Sequence, residues 1–151
     1  HSFKALVRSR TEATRFVNEF INKYPLEYSQ IIDALNYADK LCFGVKNGLY
    51  YKVIEEGNSL FPVNGDTLKV NYIGQFLDGI EFDRNGTGQP FEFILGTGLV
   101  IEGWDIGLKY IDEEGTGILI VPSGLGYGNT VSGSIPPNSV LVFRVSLLDI
   151  K

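Results

Sequence analysis

The sequence predicts an α+β fold, an antiparallel β-sheet wrapped over one short α-helix, with a helical extension in front of it. Two observations carry this. Apolar residues recur at helical spacing up to about Leu41 and at strand spacing from Leu49 onward. A single helical pattern, Ile101, Trp104, Leu108 and Ile111, then interrupts the strands. A chain of 151 residues with 44% hydrophobic and 13% aromatic content can bury one core, as one domain or one domain with an appendage.

Taken in order, Ser9 and Glu12 fit a capping box, and Phe16, Val17, Phe20 and Ile21 share one face of the helix that follows. Tyr24-Pro25 ends it, because the residue before proline is pushed out of helical geometry. A second helix is expected over 29–40, with Ile31, Ile32, Leu35 and Ala38 inward. Gly44 and Asn47-Gly48 punctuate the chain, so we divide it into an extension, 1–48, and a sheet domain, 49–151. Strands are expected over 49–55, 66–77 and 80–83, the last two flanking the hairpin signal Asp78-Gly79. Phe91, Phe93 and Leu95 alternate with Glu92 and Ile94, and 117–122 and 140–150 complete the sheet. Gly103 and Gly107 each weaken the intervening helix by about 1 kcal/mol relative to alanine. We read them as places where sheet and helix approach closely. Phe93, Leu95 and Leu141 are read as core, Tyr50 and Tyr51 as one residue in and one out, and Asp112-Glu113-Glu114 as a solvated turn.

Charge and composition narrow the function. The net charge is −5; residues 1–44 carry 6 Lys/Arg against 5 Asp/Glu, and 45–151 carry 7 against 13. The acidic sheet domain argues against nucleic acid or an anionic membrane as partner. No apolar run approaches the roughly 20 residues of a membrane span. The single cysteine, Cys42, excludes an intramolecular disulfide, and its neighbours Leu41 and Phe43 suit a buried thiol. The chain starts at His1 without any methionine, so we expect residues upstream of it, a signal peptide or lipid anchor among the forms they take.

The only tryptophan, Trp104, stands at the start of the short helix, with Tyr72, Phe82, Phe91 and Tyr127 supplied by other segments. Such a ring of aromatics forms an apolar cup for an uncharged, flat group, although aromatics at helical spacing also serve as plain core. No nucleophile–base pair or metal cluster accompanies it. Any chemistry rests on shape, desolvation and one or two hydrogen bonds.

The domain resembles the FKBP-type (immunophilin) peptidyl-prolyl cis-trans isomerases. The resemblance is carried in order by Val70-Asn71-Tyr72-Ile73-Gly74, Gly79-Ile80-Glu81-Phe82-Asp83, Pro90 to Gly96, and Val100-Ile101-Glu102-Gly103-Trp104 through Leu108. Val121-Pro122, Leu125-Gly126-Tyr127-Gly128 and Ile135-Pro136-Pro137 through Phe143 complete it. It implies a strongly bent sheet around the helix, no cofactor, proline-containing polypeptides as substrates, and macrolides as further ligands. It implies Trp104 as pocket floor, Tyr72, Phe82, Phe91 and Phe143 as walls, and Val100 and Ile101 at the rim. The Ile101 N–H would hold a substrate carbonyl, Tyr127 would donate a hydroxyl from a flap, and Ile135 would be the flap's apolar tip. Asp83 matches the family's pocket acid. The family's pairing arginine, however, has no clear counterpart in the short loop Arg84-Asn85-Gly86-Thr87-Gly88-Gln89, and Asp83 is open to a second reading as a turn cap.

An X–Pro bond isomerises over a barrier of about 18–20 kcal/mol. The twisted amide is less polar than the planar one, so an apolar pocket favours it, and no covalent intermediate is required. Two other classes stand beside the enzyme: a non-catalytic binding or chaperone module, and a structural envelope domain. Relatives of this layout use helical extensions to dimerise or to hold clients; packing back onto the sheet is the alternative for residues 1–48. The same layout points to the periplasm or cell envelope, with the cytoplasm as the alternative.

Overall fold

The computed structural model describes residues 44–46, 48–76 and 79–151. The helices expected over 9–24 and 29–40, Cys42, and Leu77-Asp78 of the expected hairpin lie outside the described residues.

Seven strands form one antiparallel sheet: β1 Gly44–Lys46, β2 Leu49–Glu55, β3 Thr67–Phe76, β4 Glu81–Arg84, β5 Phe91–Ile94, β6 Thr116–Val121 and β7 Leu141–Ile150. Their order is β1-β2-β6-β7-β3-β4, and β5 also pairs with β3. The ten-residue β3 is shared, its first half pairing with β5 and its second with β4. Register shifts interrupt β2–β6 at Val53/Glu55, β3–β7 at Lys69/Val70 and β3–β4 at Gly74/Gln75. Such irregularities bend and twist a sheet, which lets this one curve around its helix. The strand β1 is absent from the sequence reading; its three residues start at the Gly44 signal, stop just before Asn47-Gly48 and leave no periodicity to detect.

The helix α1 spans Glu102–Gly107 and tightens into a 3-10 turn over Leu108–Tyr110. Strand alternation builds the core beneath it. Leu68 and Val70 of β3, Leu119 and Val121 of β6, and Leu141, Phe143, Val145 and Leu147 of β7 all point inward, joined by Leu49, Phe93, Leu95, Leu108 and Ile111. The two helix glycines are contact points. A Cβ on Gly103 would lie 2.6 Å from Val121 Cγ1, and one on Gly107 would lie 2.7 Å from Leu119 Cδ2. Tyr50 is buried and Tyr51 half-buried, its ring stacked on Tyr110 at 4.0 Å.

The acidic run at 112–114 is not merely a solvated turn. Asp112 is only 5% exposed, and its carboxylate accepts the N–H groups of Gly57 and Ser59, both at 2.8 Å. Glu113 accepts the Ile150 N–H and the Asn58 side-chain amide, each at 2.8 Å. These bonds pin the 57–60 loop and the end of β7 to the turn after the helix. Asp112→Ala strands two N–H groups and is expected to destabilise the fold by about 1–3 kcal/mol, read as a lower midpoint in urea denaturation.

Candidate functional site

The bend of the sheet and the start of α1 enclose a cavity of about 220 Å³. Its lining comes from six places in the chain: Tyr72 of β3, Phe82 and Asp83 of β4, Phe91 of β5, the 99–101 turn with Trp104 of α1, Tyr127 of the loop after β6, and Phe143 of β7. Of the ten site residues expected from sequence, nine meet here. Ile135 does not: it is 6% exposed and packed in the core cluster, where the Ser132–Ile135 bridge holds it. Val131 of the same loop is exposed. Leu99, exposed and on the cavity edge, was not among the expected residues.

Trp104 is 4% exposed and organises the aromatic packing. Its ring meets Tyr72 at 5.0 Å and 80°, Phe143 at 5.3 Å and 86°, and Phe91 at 6.1 Å and 74°. These edge-to-face contacts place rings at right angles, which makes walls rather than a filled stack. The buried indole Nε1–H has no hydrogen-bond partner among the described residues. Phe82 stands edge-on to Phe143 at 5.7 Å. Both rings need the bare backbone of Gly74, where a Cβ would lie 2.7 Å from Phe82 Cζ and 2.9 Å from Phe143 Cε1.

Asp83 lies within β4, and its Oδ2 accepts the Tyr72 hydroxyl at 2.7 Å. Arg84 turns away to pair with Glu81, its Nε 2.9 Å from Oε2. The partner of the pocket acid is therefore a phenol, not a guanidinium. The loop after β4 is organised by Asn85, a residue the sequence reading passed over. Its Oδ1 accepts the Tyr72 N–H at 2.8 Å, and its Nδ2 donates to Asn71 Oδ1 at 2.7 Å and to the Gln89 carbonyl at 3.1 Å.

Ile101 is the N-cap of α1, so its N–H has no carbonyl one helical turn back to bond. The turn before it is fixed by Asp105, which accepts the N–H groups of Gly96 at 2.8 Å and Gly98 at 3.2 Å. Acidic side chains at the start of a helix also suit its dipole. The Tyr127 hydroxyl makes no hydrogen bond to another described residue, while its carbonyl accepts from Thr130. Among the described residues no cluster of three or more His, Cys, Asp or Glu is placed to hold a metal ion.

Burial, then the hydrogen bond to Asp83 and that carboxylate's charge, raise the Tyr72 pKa well above the ordinary tyrosine value. Burial and the Asp83 charge raise Tyr127 in the same direction. Both phenols therefore stay protonated through neutral and mildly alkaline pH. Because the folded values lie above the unfolded ones, their contribution to stability is complete below about pH 10 and is lost as pH rises toward the folded values. Tyr72→Phe is expected to flatten the decline in stability above about pH 10, seen by comparing denaturation midpoints with wild type.

Comparison with known proteins agrees with this geometry. The family model for FKBP-type peptidyl-prolyl cis-trans isomerase matches residues 58–148. The Escherichia coli protein named FKBP-type peptidyl-prolyl cis-trans isomerase FkpA is 47% identical over 112 residues, covering 72% of this chain and 41% of that protein. FK506-binding protein 4 of Neurospora crassa is 48% identical over 88 residues, covering 58% of this chain and 19% of that protein. The protein of the same name from Rhizopus delemar is 41% identical over 106 residues, covering 70% and 28%. This chain thus spans well under half the length of these relatives. With its matched segment extending over more than half of its length, the chain belongs to the FKBP-type peptidyl-prolyl cis-trans isomerase family.

Proposed function

We propose that this protein accelerates rotation about X–Pro bonds in polypeptides, using the aromatic cavity as its catalytic site. The observation that carries the reading is the convergence of Tyr72, Asp83, Ile101, Trp104 and Tyr127, from separate elements, on one open cavity. The proline ring would rest on Trp104, between Tyr72, Phe82, Phe91 and Phe143, with Val100 at the rim. Rings set at right angles select a flat, rigid, apolar group by shape.

The chemistry follows from polarity. Twisting the amide destroys its resonance and reduces the charge separation between oxygen and nitrogen. A desolvated, apolar site favours that twisted state over the planar ground state, and each 1.4 kcal/mol or so of such preference is about tenfold in rate. The Ile101 N–H anchors a substrate carbonyl, and the Tyr127 hydroxyl is the second available donor. Tyr72 is committed to Asp83, so its role is to fix the wall and hold the carboxylate in place. No cofactor takes part.

The test is a protease-coupled isomerisation assay on short X–Pro peptides. Wild type is expected to accelerate the slow phase. Phe82→Ala, a half-buried rim change that spares the core, is expected to lower kcat/KM by about tenfold or more. Unchanged turnover in that variant would remove Phe82 from the site. No acceleration by folded wild type would favour a non-catalytic binding or chaperone module.

Macrolides that mimic a prolyl amide would compete for the cavity. Ile135 would support the flap from beneath. Residues 1–48 would form the extension to the isomerase domain, 49–151, apart from β1, Gly44–Lys46, which joins the sheet by pairing with β2; the apolar face of Phe16, Val17, Phe20 and Ile21 would pair two copies of the chain, which sedimentation of the full chain reads directly. The cell envelope is the proposed location.

A further inference from the structure

A second cleft, of about 280 Å³, lies on the other face of the sheet beside the aromatic cavity. Its base is formed by Asn71 and Ile73 of β3 and Arg144 and Ser146 of β7, the residues that alternate with the inward-facing Val70, Tyr72, Phe143 and Val145. Its wall is the short loop after β4, with Arg84 and Thr87. Tyr72 belongs to both linings. The Asn85 bonds to the Tyr72 N–H and to Asn71 hold the loop over the cleft, which makes it a formed feature of the fold.

The charge of the cleft runs against that of the chain. The protein carries −5 overall, yet among the described residues no Asp or Glu lines this cleft, and the charged groups that do are two arginines. Arg84 is already paired with Glu81. Arg144 is exposed and has no ion pair among the described residues, so its five N–H donors are available, with the Thr87 hydroxyl on the wall. A planar guanidinium with hydroxyl donors nearby suits a carboxylate.

We infer that this cleft is a subsite for a carboxylate on the client polypeptide, an Asp or Glu side chain a few residues from the proline held in the aromatic cavity. The inference rests on the prolyl-isomerase reading of that cavity. It has a distinguishing consequence: the net charge of the whole protein disfavours acidic peptides, so a preference for them has to come from a local site.

The experiment uses the full chain and proline peptides capped at both ends, with Glu, Gln or Lys at each position from two to five residues on either side of the proline. At low ionic strength, Glu is expected to raise kcat/KM over Gln by about two- to fivefold at one or more positions, through KM. The preference should disappear in Arg144→Gln, persist in part in Arg144→Lys, and fade at high salt. Turnover of the Gln peptides should be the same in all three proteins. A second arm replaces the side-chain carboxylate with a free C-terminus and separates the two sources of the group. Equal rates for Glu and Gln at every position, or a preference that survives Arg144→Gln, would overturn the subsite. If no peptide is turned over, the aromatic-cavity reading fails instead. Anisotropy titration of fluorescent Glu and Gln peptides then decides the cleft separately, with Arg144-dependent binding of the Glu peptide supporting it and equal binding refuting it.

Discussion

Replacing Trp104 with alanine is expected to destabilise the protein by about 3–5 kcal/mol, as large aromatic truncations in cores do, and to abolish binding of proline peptides. The indole is 4% exposed and touches four other rings, so its removal empties the centre of the core and the bottom of the cavity together. Urea denaturation reads the first effect and peptide titration of the folded fraction the second. Trp104→Leu separates them: it refills much of the apolar volume, so most of the stability should return while peptide binding stays weak. A Trp104→Leu protein that bound proline peptides normally would show that the indole is packing alone.

Gly74→Ala is the second large expected effect, and it acts without replacing any side chain of the cavity. The added Cβ would sit 2.7 Å from Phe82 and 2.9 Å from Phe143, so one or both rings must move into the cavity or out of their rotamers. Overpacking of this kind costs about 1–3 kcal/mol. With two walls displaced, turnover of proline peptides should fall by about tenfold. Near wild-type stability together with near wild-type turnover would mean that the rings have room to yield.

Local pattern carried much of this fold and failed where long-range contacts decide. The β2 boundaries, Leu49–Glu55, are those read from sequence, because a run of apolar and β-branched residues is a local signal. The helix is shorter than its apolar spacing suggests. Ile101 caps it, Gly103 and Gly107 let β6 come close, and by Ile111 the backbone is extended, at φ −110° and ψ 120°. Asp112 looked like a solvated acid because its two donors, Gly57 and Ser59, lie more than fifty residues away in sequence. Ile135 looked like a flap tip because the family resemblance puts an apolar tip at that position, yet its own side chain faces the core.

The candidate site was legible as residue types and less so as bonds. The aromatics were visible because the motifs that carry the family resemblance name them, although ring type alone also fits plain core. The partner of Asp83 was not, since the short loop gave Arg84 as the adjacent cation and no local rule sends the arginine to Glu81 and the carboxylate to a tyrosine on β3. Asn85 was passed over for the same reason: its bonds to Tyr72 and Asn71 join positions 13 and 14 residues apart. Leu99 gave no signal beyond being apolar and next to Val100.

Prolyl isomerisation by this protein is tested most directly by exchange spectroscopy of a short Leu–Pro peptide with a substoichiometric amount of the full chain. Unaided, the cis and trans forms interconvert over tens to hundreds of seconds, too slowly to give exchange peaks. Exchange peaks are expected when the wild-type protein is added, and their loss is expected in Phe82→Ala. Cis and trans signals that remain in slow exchange with folded wild-type protein present would contradict isomerisation by this protein.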